Sequence, residues 1–143
     1  MATTFRADIG TGIYTVLASV AVAHPSLLAR AFRAKPSSVG PDMPSAYVDS
    51  RPEGILHDSG TRTRTMTPSA VIVHAGGDNL EVALALDQLV DVLVDAFTAV
   101  PQLAPGTIWS RLSVSDEEVA VGDYLFPAVR LSWPDITIME GRS

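Results

Sequence analysis

Imidazole can act as acid, base or metal ligand near neutral pH, so His24, His57 and His74 are the first residues to weigh for chemistry. They lie far apart, and none stands four positions from another ligand on a clear helix, which argues against a metal site. His57, Asp58 and Ser59 are the three residue types of a hydrolase triad. Consecutive residues cannot make the successive hydrogen bonds of a triad, and no G-x-S-x-G elbow is present, so a polar turn is the better account. Gly76-Gly77 lies between a strand-like run and a helix start, where backbone N–H groups could hold an anion. Asp78 stands at that entrance instead, occupying those donors and repelling phosphate, and neither G-x-G-x-x-G nor a P-loop lysine is present. With zero cysteines there is no thiolate nucleophile, thiolate zinc site or disulfide, which suits a reducing cytoplasm. The expectation is no catalytic residue, no metal and no cofactor.

Two charged patterns remain. Asp87, Asp91 and Asp95 recur every fourth residue and so share one helix face. Three readings are open: a solvated face, an acidic interface that meets arginines, or a divalent-ion site, for which one helix face offers few converging oxygens. The other pattern is TRTRTMT, Thr61 to Thr67, where Arg62 and Arg64 alternate with threonines. A net charge of -6, with basic residues scattered from Arg6 to Arg142, weighs against a ribbon for nucleic acid, whose affinity comes from clustered cations releasing counterions. The segment reads instead as an exposed strand whose arginines face a neighbouring subunit's carboxylates.

The elements that must carry these residues follow from pattern. The 143 residues fit one domain, and 47% hydrophobic with 18% charged is a globular composition. The N-terminus lacks the apolar core and cleavage site of a signal peptide, and Asp87, Asp91 and Asp95 interrupt the longest apolar stretch, so neither export nor a membrane span is expected. Residues 13 to 23 suit a helix ended near Pro25, and residues 26 to 34 fit helix or extended chain equally. KPSSVGPDMP is loop, Ala46 to Arg51 is a strand, PEGILHDSG is a loop, and Thr61 to Ala75 is a long β segment that can pair with Ala46 to Arg51. Within it, the part before Pro68 has nothing to bury and projects, while Ala70 to Val73 is apolar on both faces and lies in the core. Asp78 and Glu81 form a capping box for a helix from Leu80 to Val100, which is apolar on more than one side. TIWSRLSVS, EVAVGDY and PAVRLSWPDITIM supply three closing β runs split by SDE and GDYLFP. The sum is an α+β, two-layer domain: a mostly antiparallel sheet, two main helices packed on one side, and a projecting long β-hairpin. Surplus apolar helix surface and a polar projecting strand point to assembly with other chains.

The run from Pro44 to Phe97, PSAYVDSRPEGILHDSGTRTRTMTPSAVIVHAGGDNLEVALALDQLVDVLVDAF, resembles the tail terminator (tail completion) proteins of long-tailed bacteriophages, especially those of actinobacteria. The likeness extends from Tyr14 to the end and includes the AYV strand, the D-N-x-E helix start and a Y-x-x-P-x-V element at Tyr124, Pro127 and Val129. Nine arginines to one lysine also suit a GC-rich genome. The resemblance implies a structural virion protein: a homohexameric ring at the head-proximal end of the tail tube, ending tube growth and joining tail to head. Its partners would be further copies of itself, the tail tube protein and the head-tail connector, with DNA passing through the lumen unbound and no membrane involved. It would assemble in the host cytoplasm. It carries over no catalytic residue, so the expected subunit interface, Tyr47, Arg62, Arg64, Met66, Asp87, Asp91 and Asp95, comes from the sequence itself. The alternatives are another neck component, a head-tail connector or head completion protein, and a small ligand-binding or enzymatic α+β domain.

Overall fold

The computed structural model describes residues 5–37, 43–49, 53–58, 60–74, 80–107, 109, 111–134 and 136–141. Helix α1 spans Phe5–Ala23 and α2 spans Leu80–Thr98. The strands are β1 (Arg30–Phe32), β2 (Ser45–Asp49), β3 (Glu53–Asp58), β4 (Thr61–Met66), β5 (Ser69–Val73), β6 (Ser113–Val121), β7 (Tyr124–Ser132) and β8 (Ile136–Gly141). They form a five-stranded sheet ordered β1-β2-β5-β7-β6 and a three-stranded sheet ordered β3-β4-β8. Every pairing is antiparallel except β1 with β2. The α+β class and the helices on one side of the sheet are as expected from sequence.

Helix α1 begins eight residues before the apolar run that marks it in the sequence, because Phe5 and Ile9 extend the four-residue spacing of Ile13 and Leu17, and all four are buried. Gly10 and Gly12 obscure that stripe, and both are there for close approach. A Cβ on Gly12 would lie 1.8 Å from the carbonyl oxygen of Leu103, and one on Gly10 would strike the Arg33 guanidinium. The loop that meets Gly12 is itself held by buried Thr107, whose hydroxyl donates to Ala104 O at 2.6 Å and accepts from Ala104 N at 3.2 Å. Thr107 therefore closes a turn and does not start a strand. Pro25 follows the end of α1, residues 25–27 form a turn, and residues 30–32 are extended as β1, which decides the open segment.

Two corrections concern the β segments. PEGILHDSG is not a loop: Glu53–Asp58 is β3, paired with β4 from Glu53↔Met66 to Asp58↔Thr61. SDE does not interrupt a strand either, since β6 runs through Asp116, Glu117 and Glu118 to Val121, and only Gly122 (φ 63°) and Asp123 turn the chain into β7. An edge strand with an exposed face carries such charges in water without needing partners for them. The partner of Ala46 to Arg51 is the second half of the long segment, Ser69–Val73. The first half pairs with β3 and β8, which makes β4 the middle strand of its sheet and not a projecting limb.

Chain segments pass directly from one sheet to the other. β4 continues into β5 across Thr67-Pro68, and β7 continues into β8 across residues 133–135. The flanking segment thus carries one residue more than the central one at the crossing, as in a bulge, which bends the pair. Trp133 N donates to Pro68 O at 3.1 Å and Thr67 Oγ1 donates to Pro134 O at 2.9 Å, tying the two bends together.

The main core lies between the helices and one face of the five-stranded sheet: Ile9, Ile13 and Leu17 of α1, Leu89, Leu93 and Phe97 of α2, and Ala46, Ile72 and Leu131 below them. Fully buried Trp133 stands at the crossing, edge-on to Phe97 at 4.7 Å and to Trp109 at 6.4 Å. A second, smaller cluster occupies the opposite face: Tyr47, Val71, Val73, Val121 and Ala128, with Phe32, Met43 and Phe126 against them. Two-sided burial explains why Ala70 to Val73 alternates nothing. Replacing Gly12 by Ala forces α1 and the 103–107 turn apart, so urea unfolding is expected to show a loss of about 1–3 kcal/mol.

Candidate interaction surface

Of the residues expected at an interface, the structure turns three inward. Tyr47 is 2% exposed, packed in the second cluster because β2 is an interior strand covered on both faces. Met66 is 1% exposed and belongs to the main core. Arg64 is buried, with its guanidinium over the Phe5 ring at 5.0 Å, a cation–π contact at the start of α1. Arg62 is half-buried on the same face of β4. The alternation in TRTRTMT is real, but the arginine and methionine face is covered and the threonine face is only partly exposed. Reversing both arginine charges would therefore disturb the subunit itself. Sequence reasoning missed this because β4 gains its burial from β8 and α1, both distant along the chain.

Asp87, Asp91 and Asp95 do lie on the exposed face of α2. Leu80 and Leu84 are exposed at the start of the same helix, at 70% and 57%. Asp78, the Gly76-Gly77 turn and Ser59 lie outside the described residues, as do the side chains of Glu81, His57 and Asp58; the backbone of His57 and Asp58 ends β3, so these two are strand and not the polar turn expected. Among the described residues no three His, Asp or Glu side chains gather as a metal ion would need. No described helix is long and apolar enough to cross a membrane.

Two features went unnoticed in the sequence. The first is Arg130, at the back of the five-stranded sheet. Its Nη1 donates to Asp49 Oδ2 at 2.7 Å and to Ser69 Oγ, and its Nε donates to Glu117 Oε1 at 2.8 Å. One side chain, only 12% exposed, thus ties together β2, β5, β6 and β7. Burial would lower its pKa, but the hydrogen bonds and charges of Glu117 and Asp49 outweigh that and raise it. Nothing in the spacing of Asp49, Glu117 and Arg130 announces the cluster, since 81 and 13 residues separate the partners. The second is a groove of about 630 Å³ between α1 and α2, lined by Val16, Val20, Val92 and Val100 with Ser19, His24 and Asp95 among its polar members.

The remaining surface is marked by its apolar exposure. The β6–β7 hairpin shows Tyr124 at 71% and Leu125 at 65%, next to exposed Asp123, and Val114 is 48% exposed near the other end of β6. His74 lies near this hairpin, with its backbone N–H on Pro127 O at 3.1 Å. Burial depresses the His74 pKa more than the nearby Asp116 carboxylate raises it. No family model matches the chain, and no curated protein is significantly similar to it.

Two outcomes are expected here. Arg130→Met leaves the carboxylates of Asp49 and Glu117 without their shared cation, and should cost about 1–3 kcal/mol in urea unfolding; the triple change Asp49→Asn, Glu117→Gln, Arg130→Met should recover part of it. Because the fold favours neutral His74, its contribution is complete above the ordinary value of 6.5 and declines as pH falls below it towards the lower folded value. His74→Gln should make the fall in melting temperature between about pH 7.5 and pH 5.5 shallower than in the wild type.

Proposed function

We propose that this chain is a structural subunit of a ring, of the tail-terminator kind: it closes the head-proximal end of a phage tail tube and presents a surface to the head. The observation that supports it most is the placement of large exposed apolar side chains. Leu80 and Leu84 at the start of α2, and Tyr124 and Leu125 at the β6–β7 hairpin, leave apolar area in water at two separate sites. Each such side chain gains about 1.5–3 kcal/mol when covered, and a subunit that contacts more than one neighbour needs more than one such site. The layout of helix, Pro-rich loop, strands, helix and closing hairpin is in keeping with the resemblance seen in the sequence. On this reading the protein is not an enzyme, and its partners are its own copies, the tube protein and a head-side connector.

Assembly is the test. Native mass spectrometry and negative-stain microscopy should show rings, alone or on tail tubes, and phage lacking the protein should carry overlong tails. Tubes that grow to normal length without it, or that it fails to cap, would sink the proposal.

The groove between α1 and α2 supports a second reading, a small ligand-binding domain. If that is right, Val92→Trp should fill the groove and abolish ligand-dependent thermal shifts without altering assembly.

A further inference from the structure

The two edges of the five-stranded sheet carry opposite charge. β1 at one edge holds exposed Arg30, whose guanidinium lies over the Phe32 ring at 4.8 Å, and is followed by exposed Arg33, which donates to Ala7 O at 3.2 Å. β6 at the other edge holds exposed Asp116 and Glu118 and half-buried Glu117. We propose that copies of this chain associate head to tail by adding the acidic β6 edge of one copy to the basic β1 edge of the next. The proposal rests on the ring reading above and names the surface that makes the ring.

Sheet direction and register both fit. β1 runs parallel to β2, and the three antiparallel steps from β2 through β5 and β7 to β6 reverse the direction, so β6 runs opposite to β1. A neighbour placed in the same orientation would therefore offer β1 antiparallel to β6, the arrangement already used by most of this sheet. The charges also lie at the same level. Ala31, Ala46, Ile72, Val129 and Asp116 are successive partners in one row across the sheet. Arg30, Ser45, Val73, Ala128 and Glu117 form the adjacent row. Continuing the sheet without slip sets the next copy's Arg30 opposite Glu117 on one face, and its Arg33 diagonal to Asp116 on the other. Cross-strand neighbours at such positions are within reach of paired long side chains.

Charge on an edge strand ordinarily keeps other strands away, and like charges on both edges would do so here. Opposite charges exclude β6 from β6 and β1 from β1, while admitting β6 to β1. That selects a heterologous contact, which propagates around an axis and closes into a ring when the rotation permits. Glu117 keeps its bond to Arg130 in this arrangement, so the clamp on the back face runs up to the joint.

The test is a charge swap. Arg33→Glu sets a carboxylate against the neighbour's Asp116, and Asp116→Lys sets an ammonium against the neighbour's Arg33, while Arg30 and Glu117 stay opposite in both. Sedimentation at physiological salt should find the wild type assembled and each variant alone weakened roughly tenfold or more in self-association. An equal mixture of the two should return to the wild-type mass, because alternating copies restore opposite charges at every joint. Circular-dichroism melts check that each variant is folded, and Arg33→Asp with Asp116→Arg serve if either is not. Variants that assemble like the wild type, or a folded pair that fails to reassemble on mixing, would overturn the edge pairing while leaving the ring reading intact. A wild type that stays monomeric at its highest soluble concentration would also overturn it, and tube capping would then judge the terminator reading separately.

Discussion

A proline donates no hydrogen bond to a strand ladder, so a strand that meets one must end, bulge or change direction. In this protein Pro68 and Pro134 fall where two long paired segments leave one sheet and enter the other, and Pro52 lies in the sequence between β2 and β3. The bonds from Trp133 N to Pro68 O and from Thr67 Oγ1 to Pro134 O hold the crossing. Trp133, Phe97 and Trp109 fill the space beside it, and Trp109 Nε1 reaches back to Val100 O at 3.2 Å, which binds the end of α2 to the same point. The bent sheet, the seat of α2 and the route of the 101–107 turn all depend on that junction.

The junction also explains the uneven burial of the molecule. The five-stranded sheet has helices on one face and the second apolar cluster on the other, so its central strands are covered twice. A Cβ on Gly122 would lie 2.9 Å from Ser37 O, so the chain after β1 reaches the β6–β7 turn at the opposite edge. Among the described residues, the outer edge of β6, the hairpin at Tyr124 and Leu125, the outer face of α2 and Arg30 on the β1 edge stay exposed. Arg130 holds the region together from behind. Two acids, Asp49 on β2 and Glu117 on β6, share its single cation, so the cluster keeps a net negative charge.

Much of the layout is legible without coordinates, and the misreadings have a common cause. The helix opening at Leu80, the strand at Ala46, the core run Ala70 to Val73 and the alternation of Val129, Leu131 and Trp133 are local patterns of period and composition. Glu53–Asp58 looked like a loop because Pro52, Gly54 and Ser59 outweigh a short strand, and SDE looked like a break because charge is rare within strands. In both cases pairing with a distant segment overrode propensity.

The sequence by itself determined the α+β class, the acidic balance, the core run Ala70 to Val73 and the aspartate face of α2, since each rests on composition or on neighbours within a few residues. Tertiary structure alone decided the rest. It buried Tyr47, Arg64 and Met66, each expected outside, because the strands and helix that cover them come from other parts of the chain. It gathered Asp49, Glu117 and Arg130 into one clamp, and it set Arg30 and Glu117 in one row at opposite edges of a sheet. Such relations are properties of register between remote segments, and no spacing along a single chain encodes them locally.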